Sequence, residues 1–324
     1  MKSYLKRILE IGQWPIDLLI LVFAVPSAYV LLAYRSAGSG RLPLTTRILK
    51  KIGLFPIRRH YYEPLFDDSC LSRPLSEDRE LPGIDLNVAE QQAFLAKLRF
   101  SQELVDLKLD QPSADPFKFY LKNPNFGCGD AEYLYQFLRA TQPGKVIEIG
   151  SGHSTKITRM ALNRNYAEST LKAEHICIEP HEMNWLEQME GVTILRKRVE
   201  DCGLDWATEL SSGDLLFIDS SHMIRPQGDV LKEYLEILPR LSSGVYVHMH
   251  DIFTPKDYLR LWVVDQVRFW NEQYLLEALL SNSSRYEVVG AVNYLKHHNF
   301  DSFQRVCPYL KKENEPGSFY IRVR

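Results

Sequence analysis

The chain has 324 residues, which is more than one average domain and fewer than three. Apolar residues make up 45% of the sequence and charged residues 25%, which is ordinary globular usage, so a sizeable core is expected. The formal net charge is −2, and nothing in this balance suggests nucleic acid as a partner.

The first predicted element is an apolar segment from Leu18 to Tyr34, 17 residues without a charge. This is near the lower limit for a helix that spans a bilayer. Because Pro26 lies at its middle, two arrangements fit: a kinked helix that crosses once, or a hairpin that breaks at Pro26–Ser27 and returns. The residues before the segment are also basic, which suits the hairpin: Lys2, Lys6 and Arg7. A signal peptide and a buried core helix are the competing interpretations.

A basic stretch follows the apolar segment. Residues 35–59 hold seven basic side chains and no acidic one: Arg35, Arg41, Arg47, Lys50, Lys51, Arg58 and Arg59. Such a block beside an apolar run indicates an anionic membrane face. We therefore expect membrane contact through residues 14–34 and 35–59, at the inner (cytoplasmic) membrane, with the rest of the chain facing the cytoplasm.

The sequence suggests three parts: a membrane-anchoring segment at 1–36, a basic and aromatic collar with a helical region at 37–126, and an α/β domain at 127–324. Helical spacing covers Val88 to Leu107. Asp130 is expected to cap a helix that runs to about Ala140. The five cysteines are odd in number and lack metal-ligand spacing, so they are expected to be reduced structural thiols.

Short apolar strands alternate with helices after residue 140, which predicts parallel βαβ units in a doubly wound, seven-stranded α/β sheet. The candidate strands are Val146–Ile149, His175–Ile178, Val192–Leu195, Leu215–Ile218, Val245–Met249, Tyr286–Val289 and Phe319–Val323. The candidate helices are Ser154–Asn163, His181–Glu190, Gln227–Leu241 and Val263–Leu280.

Ligands of such sheets bind at the carboxyl ends of the strands. The first strand runs into Gly150-x-Gly152, where the backbone can turn tightly and approach a ligand. Position 155 is Thr, so the dinucleotide fingerprint fails. Glu148 instead stands two residues before the first glycine, where a carboxylate can pair with a cationic amino acid. This favours S-adenosylmethionine (SAM) over NAD.

The next two strands also end in acids. Glu179 follows the second strand and can bind the hydroxyls of a ribose. Glu200 and Asp201 follow the third strand, where an acid could accept a hydrogen bond from an adenine amino group. A solvated charge pair explains Glu200 and Asp201 equally well.

The fourth and fifth strands bring two carboxylates and two imidazoles. Asp219 and His222 follow the fourth strand, and His250 and Asp251 follow the fifth. If these strands are neighbours, the four side chains converge at one rim. The alternative is a core histidine with helix-capping aspartates.

Together these residues resemble the class I SAM-dependent methyltransferases over residues 127–324. The resemblance rests on the Glu-x-Gly-x-Gly turn at 148–152, on Glu179 and on Asp219, and the last two strands fit that family's terminal reversed hairpin. FIDSSH (217–222), HMHDIF (248–253), WNEQYLL (270–276) and the N-terminal LFPIRRHYYEPLF look like a membrane-tethered bacterial subgroup linked to polysaccharide or secondary-metabolite biosynthesis.

The resemblance implies that SAM is held at the turn and the strand ends, by Glu148, Gly150, Ser151, Gly152, Ser154, Glu179, Glu200, Asp201 and Asp219. Ser154 stands where the broader family often has a third glycine, and it can cap the helix. Some sugar O-methyltransferases of this superfamily hold a divalent metal with acids after strands four and five, and the matching residues here are Asp219, His250 and Asp251. Histidine is unusual in a magnesium shell, because hard cations prefer oxygen ligands.

The function expected is O-methylation of a sugar, glycan or lipid-linked small-molecule hydroxyl. His222 or His250 would act as base, with Asp219 or Asp251 orienting the imidazole. A non-catalytic SAM- or nucleotide-binding membrane scaffold and an NAD-dependent oxidoreductase are the alternatives. The acceptor, the choice between O- and N-methylation and the oligomeric state are left open.

Overall fold

The computed structural model describes residues 2–170 and 172–324, with side chains from residue 13 onward, so the basic flank Lys2, Lys6 and Arg7 lies outside the described side chains. The chain forms two compact units, Met1–Ser72 and Arg73–Arg324. The boundary between these units falls inside the predicted 37–126 region.

The first unit contains α1 (Lys2–Ala37) and α2 (Pro43–Ile52). α1 continues through Pro26, and the predicted hairpin break at Pro26–Ser27 is therefore wrong. Residues Gln13–Ala37 are long and apolar enough to cross a membrane. Most of the apolar side chains in this window are exposed, which also argues against a buried core helix.

Two contacts join the end of α1 to the segment that follows. The Tyr34 hydroxyl lies 2.5 Å from Thr46 Oγ1 of α2. Glu63 accepts from Arg35 at 2.5 Å and from the Arg58 side chain at 2.8 Å. The Arg58 backbone N–H, together with both guanidinium groups, lowers the pKa of Glu63 to about 2. The basic stretch is thus partly ordered by one carboxylate that lies outside it in sequence.

The second unit is built on a seven-stranded sheet. Its strands are β1 (Lys145–Ile149), β2 (Glu174–Ile178), β3 (Thr193–Leu195), β4 (Leu215–Ile218), β5 (Tyr246–Met249), β6 (Tyr286–Ala291) and β7 (Phe319–Val323). The order is β3-β2-β1-β4-β5-β7-β6. β1 to β5 are parallel, and β7 runs antiparallel to both β5 and β6. The doubly wound sheet and its terminal reversed hairpin are confirmed.

Helices cover both faces of this sheet. They are α3 (Val88–Leu95), α4 (Ser101–Asp106), α5 (Asp130–Thr141), α6 (His153–Ser169), α7 (Asp205–Thr208), α8 (Asp229–Lys232), α9 (Glu272–Leu280), α10 (Val292–His298) and α11 (Phe300–Val306). Alternation along β1 sends Val146 into the core under α5 and α6 and Ile147 into the core on the opposite face.

Several predicted helices are shorter or interrupted. The helix expected over 88–107 is two helices, and that over 181–190 is a single 3₁₀ turn at Leu186–Gln188. The helix expected over 227–241 passes from α8 into a π-helical turn and ends in a 3₁₀ turn that contains Pro239. The helix expected over 263–280 is a π-helical turn at Leu261–Asp265 followed by α9.

Asp130 does not cap α5 with its side chain, as the sequence had suggested. It is the first helical residue, after Gly129, and its carboxylate is used elsewhere. Asp130 Oδ1 accepts from the Gly317 N–H at 2.9 Å and from the Ser318 hydroxyl at 2.6 Å. This ties α5 to the segment that enters β7.

The carboxyl ends of β1 and β4 approach each other very closely at Gly150. This glycine has φ +82°, and a Cβ on it would lie 1.9 Å from the Asp219 carbonyl oxygen. The Asp219 N–H donates to the Ile149 carbonyl at 2.9 Å, and the Gly150 N–H donates to the Ile178 carbonyl at 3.0 Å. Only glycine fits where these three strand ends meet.

We expect Gly150→Ala to destabilise the protein by more than the ~1–2 kcal/mol that a left-handed conformation costs an L-residue, because its methyl group also meets backbone. Gly152→Ala is the matched control, since a Cβ there meets no atom within 4 Å. Urea unfolding of both variants measures the difference. Equal midpoints for the two variants would contradict the close approach.

Candidate active site

A cavity of about 300 Å³ opens at the carboxyl ends of β1, β2 and β4. It is lined by Ile149, Gly150, Ile178, Glu179, Pro180, His181, Arg198, Val199, Glu200, Asp219, Ser220, Ser221, Arg225 and Asp229. The position matches the general rule for open α/β sheets. Four of the predicted cofactor residues are on this wall: Gly150, Glu179, Glu200 and Asp219.

Glu179 is almost completely buried at the end of β2. It accepts hydrogen bonds from the Ser151 N–H at 2.9 Å and the His181 N–H at 2.8 Å. The carboxylate therefore holds the turn after β1 and the turn after β2 together. Two oxygens offer about four acceptor positions, so capacity remains for a ligand hydroxyl.

Glu148 does not reach the cavity, contrary to the expectation that it faces the cofactor. Its carboxylate is fully buried and accepts from the Thr155 hydroxyl at 2.5 Å, while its other oxygen lies 3.0 Å from His175 Nε2. The reason is the alternation along β1, which sends Ile149 and Glu148 to opposite faces. Glu148 therefore stabilises the start of α6 through Thr155, from the side of the sheet opposite the cavity.

The other predicted cofactor residues also lie off the cavity wall. Gly152 precedes α6, and its N–H donates to Thr155 Oγ1, so Thr155 rather than Ser154 completes the helix start. Ser151 contributes its N–H to Glu179. Asp201 is exposed and paired with Arg198 at 2.8 Å, whereas its neighbour Glu200 lines the cavity.

Sequence reasoning missed the polar wall after β4. Asp229, at the start of α8, accepts from the Ser221 N–H at 2.9 Å and the Ser221 hydroxyl at 2.7 Å. Arg225 lies beside both residues. The two serines in FIDSSH, directly after Asp219, were the available signal.

The rim of the cavity carries a buried histidine surrounded by carboxylates. His222 Nε2 lies 3.3 Å from Asp219 Oδ1 and 3.4 Å from Asp251 Oδ2, and Nδ1 lies 2.7 Å from Glu272 Oε2. Glu272 in turn accepts from the Tyr234 hydroxyl at 3.0 Å. The predicted convergence of the β4 and β5 ends is therefore seen, and Glu272 of the WNEQYLL segment is an unpredicted member.

His250 joins the same cluster from β5. Its Nδ1 lies 3.5 Å from Asp219 Oδ1 and 3.4 Å from Asp251 Oδ1, and Nε2 lies 3.8 Å from Asp130. The Phe126 ring covers it at 4.9 Å. His250 Nδ1 is buried and has no hydrogen-bond partner among the described residues.

Charge controls protonation in this cluster. Burial opposes a positive charge on His222, but its bonds to Asp219 and Glu272 prevail and raise its pKa well above the ordinary value. Burial likewise opposes the charge on His250, and the carboxylates of Asp251 and Asp219 raise its pKa. Burial raises the pKa of Asp251 in spite of both imidazoles. Positive charge, from protons or from a cation, is thus needed at the rim.

The cluster also has the composition of a cation site. Ligand atoms of Asp219, His222 and Asp251 all lie within 4.8 Å of one another. His222 directs its second ring nitrogen to Glu272, which is the arrangement usual for a metal-binding imidazole. Within the described residues the grouping thus contains His222, whereas the sequence had suggested His250.

Residues 147–252 match the family model of a methyltransferase domain. An uncharacterised protein from Archaeoglobus fulgidus is 30% identical over 139 residues, which is 40% of this chain and 60% of that protein. The chain therefore spans about 60% of the length of the curated relative it matches.

Solved methyltransferase structures show weaker similarity. The TDP-rhamnose 3'-O-methyltransferase CalS11 of calicheamicin biosynthesis is 11% identical, with 75% of this chain and 99% of that chain covered and a TM-score of 0.37. An O-methyltransferase from Bacillus cereus is 11% identical, with 72% and 90% covered and a TM-score of 0.35. The fold assignment rests on the strand order and the family match, not on these scores.

We expect Glu179→Gln to weaken binding of S-adenosylhomocysteine (SAH) about tenfold, because a charged acceptor on the cavity wall is lost. Glu148→Gln should instead lower the free energy of unfolding, since His175 loses its buried carboxylate, and leave SAH affinity nearly unchanged. Calorimetric titration and urea unfolding of both variants measure this. A larger loss of SAH affinity in Glu148→Gln than in Glu179→Gln would restore Glu148 as a cofactor contact.

Proposed function

We propose that the chain is a class I SAM-dependent methyltransferase and that it methylates a hydroxyl oxygen of a sugar, glycan or lipid-linked small molecule. The observation that carries the proposal is His222 at the rim of the cavity, held by Glu272 and directed at Asp219 and Asp251. An imidazole oriented by a carboxylate is suited to remove a proton from an acceptor hydroxyl.

SAM is proposed to occupy the cavity, with its nucleoside toward Glu179 and Glu200 and its sulfonium toward Asp219. Glu179 and Glu200 supply acceptors for ribose hydroxyls and an adenine amino group. The absence of a side chain at Gly150 lets the ligand approach the backbone.

Methyl transfer is an in-line displacement. The acceptor oxygen forms a bond to the methyl carbon, the carbon–sulfur bond breaks, its electron pair stays on sulfur, and neutral SAH leaves. The hydroxyl proton passes to the base. Alignment of donor and acceptor contributes ~7–11 kcal/mol to such reactions.

His222 is proposed as this base. Its Nδ1–H donates to Glu272, which leaves Nε2 at the rim to accept the proton. The raised pKa of His222 favours the protonated form when only carboxylates surround it. A nearby sulfonium opposes that proton by like-charge repulsion, so SAM binding favours the neutral imidazole that the reaction needs.

A divalent cation also fits this cluster, because two carboxylates and an imidazole converge there. His250 Nδ1 lies beside the same two carboxylates without a hydrogen bond to the described residues. Asp219, Asp251 and Nε2 of His222 would hold it, and His222 would then be a ligand instead of the base. When bound, it would lower the pKa of the acceptor hydroxyl.

We expect His222→Ala to reduce the methyl-transfer rate about 10²–10⁴-fold, because the proton acceptor is lost. In the wild type, the rate should rise with pH as His222 loses its proton, and the raised pKa moves that rise above the ordinary histidine range. The variant should lack this rise. Transfer from radiolabelled SAM to membrane-lipid and polysaccharide extracts, with and without chelator, is the measurement.

SAH titration provides the control, since His222→Ala should retain SAH affinity. His250→Ala is expected to lose less activity. Full activity in both variants sinks the histidine-base proposal. If the wild type binds SAH but transfers no label to any extract, the result supports the alternative of a non-catalytic SAM-binding scaffold.

We further propose that α1 anchors the chain in the inner membrane with residues 73–324 in the cytoplasm. α2 supports this, because Leu44, Ile48 and Ile52 repeat every four residues on one face and are 68%, 49% and 72% exposed. An apolar face of this kind, beside the basic residues of the 35–59 stretch, suits a helix lying on an anionic leaflet. The anchor keeps the enzyme near a lipid-linked acceptor.

We expect the full-length chain to resist carbonate extraction and its C-terminus to be cleaved by protease in inverted membrane vesicles but not in intact spheroplasts. The double substitution Leu21→Arg and Val25→Arg should release it, since each arginine at a helix centre costs ~2.5–3.5 kcal/mol. Gln13→Arg at the helix end is the control and should stay membrane-bound. Protection of the C-terminus in inverted vesicles would reverse the proposed orientation.

A further inference from the structure

An aromatic wall begins at His222 and leads away from the cavity. The Trp270 ring lies 4.4 Å from the His222 ring, and the Trp262 ring lies 5.1 Å from Trp270. Phe253 and Tyr258 are both buried and pack edge-on against these indoles at 5.3 Å and 6.2 Å. The two tryptophans are therefore supported by the core and continuous with the proposed base.

Arg268 is held against this wall by both tryptophans. Its guanidinium carbon lies 4.9 Å from the Trp262 ring centre and 4.5 Å from that of Trp270. Both indoles contact the guanidinium as cation–π partners, and because neither ring accepts a conventional hydrogen bond, the guanidinium N–H groups remain available to a ligand. Among the described residues, no carboxylate or carbonyl oxygen accepts a hydrogen bond from the Arg268 side chain.

The backbone directly before Arg268 is strained. Val267, a β-branched residue, has φ +54°, a conformation that such residues rarely adopt. The Arg268 N–H donates to the Trp262 carbonyl at 2.8 Å, closing the segment back onto the π-helical turn at Leu261–Asp265. Strained backbone and π-helical turns both occur preferentially at functional sites.

The negative charge of the rim suggests a role for the Arg268 guanidinium. Asp219, Asp251 and Glu272 repel an anionic acceptor, so such an acceptor needs a cation on its own side of the site. Arg268 is a cation in direct contact with the wall, and because the Trp270 ring lies close to both His222 and Arg268, the separation of the guanidinium from the imidazole is limited. One hexose ring with a phosphate on its anomeric carbon can bridge that separation.

We propose that Arg268 binds a phosphate group of the acceptor and that the substrate is therefore a phosphate-bearing sugar. The planar fork of arginine matches two phosphate oxygens, and the indoles fix its direction before the ligand arrives. This inference rests on the proposed function, because it takes His222 to mark the place of the reacting hydroxyl.

The test uses the full-length chain in detergent, saturated with SAH, and titrates glucose 1-phosphate and glucose as probes. Tryptophan fluorescence reports binding, and Trp262 and Trp270 beside Arg268 are two of the five tryptophans that contribute to it. We expect Arg268→Gln to weaken glucose 1-phosphate binding about tenfold or more and to leave weak glucose binding unchanged. Arg322→Gln is the matched control, because Arg322 also stacks on an aromatic ring, Tyr246 at 5.7 Å, but on β7.

Equal glucose 1-phosphate affinity in the wild type and Arg268→Gln overturns the proposal, as does an equal loss in Arg322→Gln or no binding by the wild type. Competition by UDP-glucose identifies a soluble sugar nucleotide as the phosphate source. Competition by a polyprenyl phosphate in phosphatidylcholine vesicles identifies a lipid carrier, and competition by neither identifies a free sugar phosphate. Failure of the wild type to bind SAH is a different result, which defeats the proposed function itself.

Discussion

The backbone contact between Gly150 and Asp219 is the constraint on which the site depends. Two neighbouring parallel strands end at this contact, and a single Cβ would fill the space between them. Because β1 turns away there without a side chain, the cavity opens directly above the strand ends. The same contact fixes the position of the backbone at Asp219, directly after β4. The Asp219 side chain thereby lies next to His250 and Asp251, which follow β5.

Electrostatic balance is the second organising feature. Asp219, Asp251 and Glu272 surround His222 in a largely buried position, where uncompensated charge is unfavourable. Imidazole protons, a divalent cation and a sulfonium can each supply positive charge to the same carboxylates. In the proposed mechanism their binding is coupled, and SAM binding would favour loss of the His222 proton.

The conspicuous acid of the first turn has an indirect role in this arrangement. Glu148 holds Thr155 and His175 in the core, and Thr155 in turn receives the Gly152 N–H at the start of α6. The carboxylate thereby shapes the turn that borders the cavity without touching it. Glu179 has a similar structural role, because it accepts hydrogen bonds from two backbone N–H groups at the cavity wall.

Local sequence patterns were sufficient for the sheet and for the meeting of its strand ends. Apolar runs marked all seven strands. Because the ends of parallel strands lie at one edge, the amino-acid sequence alone predicted that Asp219, His222, His250 and Asp251 lie together. The length and apolar character of residues 18–34 likewise predicted a helix that could cross a membrane. Periodicity and spacing act over a few residues, which is why these features were accessible.

Tertiary packing decided the partners of those residues. Glu148 faces His175, 27 positions away, and His222 faces Glu272, 50 positions away, because of strand order and side-chain direction rather than local pattern. The breaks in the helices expected over 181–190 and 263–280 follow from the same cause, as does the contact of Arg268 with two tryptophans. Contacts between distant segments depend on which elements are neighbours in the folded chain, and no local periodicity specifies that.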